Sequence, residues 1–197
     1  MSSHTPAYPD VLDFLLVRRS HPAPSLGAPG PDADTLQKIL TAAARVPDHG
    51  KLAPWRFVLY QGEECVRIGG HLAALAETRF GPLDETRRAQ ELTRFTRAPL
   101  VVGVFSRAAV HPKIPVWEQE LSAGAVCMTL VTAATAAGFG VQWVSEWVAY
   151  DAEAIAYLGG QPDEKVAGFI HIGTAMQPPF ERARPDLADI VSNWTQG

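Results

Sequence analysis

Apolar residues along the chain recur either at helical spacing or in short runs, and turn residues separate these segments. The helical spacing predicts helices over residues 8–19, 63–80, 83–96 and 117–139, and one more that carries Leu36 to Ala43. Aspartates predict N-caps, namely Asp32 or Asp34 for the second helix and Asp151 for a short helix before Gly159. Short apolar runs predict strands at 55–60, 100–105, 141–145 and 165–172. These strands follow no βαβ rhythm, which indicates the α+β class.

The helix predicted at 117–139 is distinctive because it is apolar nearly all round, which is typical of a buried helix. It is also rich in small residues, including Ala123, Gly124, Ala133 and Ala134. Small side chains let neighbouring backbones approach closely. The pattern therefore predicts tight helix packing here, either inside the protomer or across a subunit boundary.

Length and charge narrow the function classes. The chain has 197 residues, of which 47% are hydrophobic, and this predicts one domain over residues 1–197 with a flexible start at 1–8. A net charge of −4 argues against nucleic acid as the main partner. The sequence offers neither an uninterrupted apolar stretch of bilayer length nor the pattern of a signal peptide. We therefore expect a cytoplasmic protein without a membrane partner.

Arg18-Arg19-Ser20 offers the clearest candidate chemistry, directly after an apolar run. Guanidinium groups present rigid forks of donors that fit phosphate oxygens, and a serine hydroxyl adds one more. This triplet predicts a grip for a phosphomonoester. The alternative is an ordinary basic helix end, where cations suit the helix dipole.

The loop from Val46 to Pro54 is the second candidate segment. Two prolines stiffen it, and His49 and Lys51 could reach a ligand. The alternative is a structural turn in which Asp48 hydrogen-bonds its own backbone.

Arg182 and Arg184 form the third candidate segment, near the end of the chain. In an extended chain alternate residues point to one side, so both could join Arg18 and Arg19 around one dianion. The alternative is a solvated tail stiffened by proline.

The usual catalytic and nucleotide motifs are missing. The sequence has no GxxxxGK loop, no GxGxxG after a strand and no GxSxG elbow. Its six histidines are scattered without metal-ligand spacing, so we predict no metal, and we assign no catalytic side chain.

Taken in order, the segments resemble the FMN-dependent nitroreductase family, and most closely its small bacterial NAD(P)H nitroreductase subgroup. The likeness runs from about residue 10 to 194. It is carried by Arg18-Arg19-Ser20, by residues 44–49 with Pro54-Trp55, by 116–124, by Gly138-Phe139-Gly140, by Ile172-Gly173-Thr174 and by 182–185.

The resemblance implies a nitroreductase-like fold, in which helices flank a central, mainly antiparallel sheet. It also implies an intertwined homodimer with FMN at the subunit interface. A C-terminal arm, residues 174–197, would reach over the partner subunit. The resemblance implies that the FMN phosphate is bound by Arg18, Ser20, Arg182 and Arg184, with Arg19 beside them, and that Gly173 and Thr174 lie near the ribityl chain. It implies that the flavin ring lies along Gln142, Trp143 and Val144. Three further residues are expected near the ring, namely Leu52, Ala53 and His49, of which His49 is expected from the partner subunit.

One position departs from the family pattern. Ala53 stands where members often carry an asparagine or glutamine. A side-chain contact to FMN is therefore lost at this position, and Leu52 is left to pack on the ring.

The resemblance implies a two-step (ping-pong) reaction. NAD(P)H would reduce the flavin, and a nitroaromatic, quinone or similar electron-poor acceptor would then be reduced in the same cleft. Two alternatives remain open at this point. One is an FMN-dependent dehydrogenase or flavin-modifying enzyme of the same fold, and the other is a flavin-binding protein without catalysis.

Overall fold

The computed structural model describes residues 8–195. Seven α-helices lie within them, and short 3-10 turns add to the connections. The helices are α1 (Pro9–Val17), α2 (Ala33–Ala43), α3 (Glu63–Phe80), α4 (Glu85–Leu92), α5 (Val116–Ala136), α6 (Ala152–Tyr157) and α7 (Leu187–Ile190).

Five strands form one sheet, and every pairing between them is antiparallel. They are β1 (Leu26–Gly27), β2 (Trp55–Gln61), β3 (Leu100–Ser106), β4 (Gly140–Val144) and β5 (Lys165–Ala175). The long strand β5 pairs with β3, β4 and β1, and β2 pairs with β3. The α+β class and the antiparallel sheet flanked by helices are confirmed.

The alternation of side chains along the strands gives the sheet two apolar faces. On one face Val102 and Ile170 pack in a cluster with residues of α2 and α5, such as Val126. On the other face Val101 and Phe169 pack in a cluster with residues of α3 and α6. The chain thus has a core on both sides of its sheet.

Most predicted elements are present, with shifted ends. Asp32, rather than Asp34, caps α2 by accepting the Thr35 N–H at 2.8 Å. The helix predicted at 83–96 is wrong in length, since α4 ends at Leu92. Beyond it the Thr96 hydroxyl donates to the Thr93 carbonyl in a run of turns, which competes with helical bonding.

Strand β1 was not predicted, and it moves the start of the C-terminal arm. Its Leu26 and Gly27 pair with Ala175 and Thr174, so β5 continues three residues past the predicted end at 172. The prediction that the arm begins at residue 174 is therefore wrong, because Thr174 and Ala175 belong to the sheet.

Three parts of the chain leave large apolar side chains in solvent. Helix α1 buries none of its residues, and its Leu12 and Leu16 are 60% and 69% exposed. The tail after β5 exposes Phe180, and its Trp194 is 85% exposed. Helix α5, expected to be buried all round, exposes Trp117. Such surface is unusual for an isolated monomer.

Candidate active site

A cavity of about 410 Å³ lies between the loop that follows α1 and the tail that follows β5. We call it the arginine cavity. Its lining is dominated by guanidinium groups and consists of Arg18, Arg19, Ser20, His21, Pro22, Gln142, Phe180, Glu181, Arg182 and Arg184. The structure thus brings together six of the predicted cofactor contacts from three distant parts of the sequence.

Backbone hydrogen bonds hold the loop after α1 in place. The Arg18 N–H still donates to the Phe14 carbonyl at 2.9 Å, but Arg18 itself has left the helical conformation. The His21 N–H then donates to the Val141 carbonyl of β4 at 2.9 Å. Next to it, the Gln142 side chain accepts the Ala23 N–H. The loop is therefore tied to the edge of the sheet.

Arg18 is the cavity residue with a buried guanidinium nitrogen that lacks a hydrogen-bond partner among the described residues. This nitrogen is its Nη1 atom. A buried cationic donor without an acceptor is costly, whereas a phosphate oxygen would satisfy both its charge and its N–H groups. The cavity therefore fits the phosphate end of a cofactor.

Arg19 plays a more structural role. Its Nε and Nη2 atoms hold the Glu181 carboxylate, with the shortest contact at 2.7 Å. Its Nη1 also donates to carbonyls at the end of α1, at 2.9 Å for Val17. The hydrogen bond from Arg19 holds the pKa of Glu181 below its ordinary value. Arg19 thus both lines the cavity and ties the end of α1 to the tail.

Four cavity residues were not predicted as contacts, namely Pro22, Phe180 and the two ionisable residues His21 and Glu181. Glu181 reduces the positive charge of the cavity, and His21 stands directly after the predicted triplet. Burial lowers the pKa of His21, which favours its neutral form. The sequence could have indicated both residues, because Glu181 is next to Arg182 and His21 is next to Ser20.

The loop from Val46 to Pro54 is built around Asp48. Its carboxylate accepts the N–H groups of Leu52 and Ala53 at 3.0 and 2.9 Å, which confirms the structural turn. Gly50 has a φ of +71°, and a Cβ there would come within 2.4 Å of the Ile114 side chain. The loop is thus fixed by local hydrogen bonds and packing.

His49, Leu52 and Ala53 do not line the arginine cavity of their own protomer. His49 is exposed and its Nδ1 lies 2.7 Å from the Glu118 carboxylate. Leu52 and Ala53 line a separate cavity. Any contact of these residues with a cofactor in the arginine cavity stays a prediction.

Ala53 adopts a left-handed backbone conformation, with a φ of +45°. This conformation costs a residue with a Cβ about 1–2 kcal/mol. Glycine avoids this cost but gains about 0.5–1 kcal/mol of chain entropy in the unfolded state. Because the Ala53 side chain is exposed, Ala53→Gly is expected to stabilise the fold by about 0.5 kcal/mol in urea unfolding. Ala89→Gly, at an exposed site inside α4, should lower the free energy of unfolding. An equal loss of stability in both variants would contradict the backbone strain at Ala53.

The remaining predicted contacts lie in the sheet beside the arginine cavity. Trp143 turns away from it and lies over Gly168, and its Nε1 donates to the Ala167 carbonyl at 3.2 Å. Val144 packs on the core of the α3 face. Gly173 lies opposite Gly140, and the Thr174 hydroxyl donates to the Pro29 carbonyl at 2.8 Å. None of these four residues lines the cavity.

The structure also bears on metals and membranes. Within residues 8–195, no three histidine, cysteine, aspartate or glutamate side chains are grouped to hold a metal ion. In the same range, no helix has both the length and the apolarity required to cross a bilayer.

Comparison with known proteins places this chain in one family. The model of the nitroreductase family matches residues 18–174, which include the loop after α1 and most of the sheet. YdjA of Escherichia coli K12, whose name places it among the NAD(P)H nitroreductases, is 35% identical over 170 residues, covering 84% of this chain and 88% of YdjA. A Haemophilus influenzae protein with a corresponding name is 36% identical and covers 93% of this chain and 98% of its own.

A solved structure shares the fold at lower sequence identity. The nitroreductase with bound FMN from Bacteroides fragilis superposes with a TM-score of 0.69 at 19% identity. The match covers 94% of this chain and 99% of the other.

Proposed function

The chain belongs to the nitroreductase family of oxidoreductases, and from this premise we propose that it is an FMN-dependent NAD(P)H oxidoreductase that acts as a homodimer. The observation that carries the proposal is the arginine cavity with the buried Nη1 atom of Arg18, which has no hydrogen-bond partner among residues 8–195. Among relatives, NAD(P)H stands in the name of YdjA, and FMN is bound in the Bacteroides fragilis structure.

The residues of the arginine cavity suit the phosphate of FMN. Arg18, Arg182 and Arg184 would supply charge-assisted hydrogen bonds, and Ser20 a hydroxyl donor. Arg19 would act indirectly, because its bond to Glu181 holds the tail against the loop after α1. Gln142 would fix the same loop to β4.

The exposed apolar surfaces support a dimer. A tail that exposes Trp194 and a helix α1 with no buried residue gain stability when a second protomer covers them. On α5, a Cβ at Gly124 would meet nothing within 4 Å, so this small residue leaves room for a close neighbour. We propose that the tail beyond Ala175 reaches over the partner.

In such a dimer the stiff 48–53 loop would approach the flavin bound by the other subunit. His49 would lie near the ring and Leu52 would pack on it, while the backbone of β4 at Trp143 and Val144 would run along the ring. Gly173 and Thr174 would lie behind the ribityl chain. This arrangement accounts for predicted contacts that are separated within one protomer.

Bound FMN would supply the redox chemistry, since it can take a hydride from NAD(P)H and deliver it to an electron-poor acceptor such as a nitroaromatic or a quinone. The protein would keep the cofactor bound and would bind the electron donor and the acceptor one after the other, which gives ping-pong kinetics. No side chain of the cavity is required as an acid or base, because solvent can supply the proton.

The first experiment is the visible spectrum of the purified protein, recorded without oxygen before and after NADH or NADPH is added. We expect a flavin band that bleaches with the donor and returns when a nitroaromatic or quinone is added. Size-exclusion chromatography with light scattering should give twice the mass of 21.3 kDa.

The other outcomes separate the alternatives. A flavin band that neither donor bleaches would favour a dehydrogenase, a flavin-modifying enzyme or a flavin-binding protein. A protein that stays colourless after FMN is added would contradict the cofactor assignment, and a monomeric mass would contradict the dimer.

A further inference from the structure

A second cavity, of about 350 Å³, lies between the 48–53 loop and the loop that joins β3 to α5. We call it the loop cavity. Its walls include Leu52, Pro54 and Val110, and the polar groups at its rim are Arg107 and His111. An open cavity of this size that combines a few apolar side chains with convergent polar groups can hold a small molecule.

Arg107 lines this cavity and has most of its guanidinium donors free of partners among the described residues. Among residues 8–195 its guanidinium makes one side-chain hydrogen bond, from Nη2 to the Ala53 carbonyl at 2.9 Å. Guanidinium groups have five N–H donors in a planar fork, so the others are left for a ligand. The nearby Glu164 is already paired with Arg56. The hydrogen bond from Arg56 lowers the pKa of Glu164, and the charge of Arg107 lowers it further by a smaller amount.

His111 is fixed as a second donor. Its Nδ1 accepts the N–H groups of Lys113 and Ile114, each at 3.2 Å. In the neutral ring an accepting Nδ1 requires the proton on Nε2, so Nε2 is a donor. The loop itself is braced by Gln119, whose side-chain amide both accepts from Ala109 N–H and donates to the Ala109 carbonyl, at 3.1 and 2.8 Å.

We propose that the loop cavity binds a small carboxylate with an apolar body, held by Arg107 and His111 at the carboxylate and by Leu52, Pro54 and Val110 around the body. Val110 is 95% exposed, and a ligand at this position would shield it from water. The nearest carboxylate on the loop, that of Asp48, faces two backbone N–H groups and does not compete for the two donors. The loop cavity shares Leu52 and Ala53 with the residues expected near the flavin, whereas Arg107 and His111 are not among those residues.

The test titrates the full-length protein, saturated with FMN, with benzoate and with the neutral isostere benzamide. We expect benzoate to bind by calorimetry at least ten-fold more tightly than benzamide, and to shift the backbone amide NMR signals of Ala53, Val110 and Lys113. Arg107→Gln should weaken benzoate binding at least ten-fold, whereas Arg67→Gln, which removes an exposed arginine paired with Glu64, should leave it unchanged.

A second pair of variants guards against loosening of the loop. Asparagine or aspartate at position 111 can still accept the Lys113 and Ile114 N–H groups, so the turn should persist. His111→Asn should weaken benzoate binding several-fold and His111→Asp more strongly, because it adds a repelling charge. Equal binding of benzoate and benzamide, insensitivity to both substitutions, or shifts confined to residues 18–22 would overturn the proposal.

Discussion

The Arg18→Ala protein is expected to be isolated largely without flavin, with a dissociation constant for FMN raised by one to two orders of magnitude. Arg18 has a buried Nη1 with no partner among residues 8–195, in a cavity formed by the loop after α1 and the tail. A charge-assisted hydrogen bond of this kind contributes about 1.5–3 kcal/mol, and each 1.4 kcal/mol is about a factor of ten in affinity.

Fluorescence titration of the apoprotein with FMN and with riboflavin measures this effect. Riboflavin lacks the phosphate, so its affinity should be nearly the same in the wild type and in Arg18→Ala. Arg19→Ala should weaken FMN binding less, because Glu181 already holds that guanidinium. Arg88→Ala, on the exposed face of α4, is the matched control and should bind FMN normally. Equal loss of riboflavin and FMN would show that Arg18 supports the loop rather than the phosphate.

The sequence predicted the elements whose apolar pattern is long and regular. The valine-rich run of β3 was found because all of its residues are buried, on both faces of the sheet. The apolar stretch of α5 was found because the helix buries one face against the sheet. Strand β1 was missed because its two residues lie in a proline- and glycine-rich loop, and their pairing with β5 joins residues about 150 positions apart. Local patterns carry no information about such a pairing.

In the candidate site, too, local sequence patterns predicted some features, and others depend on contacts between distant residues. The alternation of residues suggested that Arg182 and Arg184 point to one side and could join Arg18, and the family resemblance then assigned all three to the phosphate. That Arg19 turns to Glu181 could not be foreseen, because two arginines in a row look equivalent in sequence. The loop cavity matches no motif, since Arg107 and His111 gain their geometry from hydrogen bonds to Ala53 and to the turn after His111.

Acid is expected to destabilise the fold through His171, a group that no sequence pattern singled out. His171 lies in β5 between Val101 and Gln142, is 2% exposed, and its Nδ1 has no partner among the described residues. Burial, followed by the positive charges of Arg97 and Arg94, lowers the pKa of His171 from 6.5 to about 4, while Glu146 opposes the shift. The native protein therefore keeps this histidine neutral at pH values where the unfolded chain takes up a proton.

The sign and the size of the effect follow from this difference. The stabilisation is fully present above pH 6.5, where both states are neutral, and is lost as the pH falls towards 4. Each pH unit within the window costs about 1.4 kcal/mol, so the loss approaches about 3 kcal/mol near pH 4. Urea unfolding at pH 7.0 and 5.0 should therefore show a loss of about 2 kcal/mol that is attributable to this residue.

His171→Phe isolates that contribution, because phenylalanine fills a similar buried space and takes up no proton. Carboxylates such as Glu146 titrate equally in both proteins, so their effect cancels in the difference at each pH. The wild type should lose about 2 kcal/mol more than His171→Phe between pH 7.0 and 5.0, whatever their stabilities at pH 7.0. Parallel pH profiles would contradict the prediction. A converging profile would place the acid-sensitive point of the fold beside Gln142, the residue that ties the loop after α1 to the sheet.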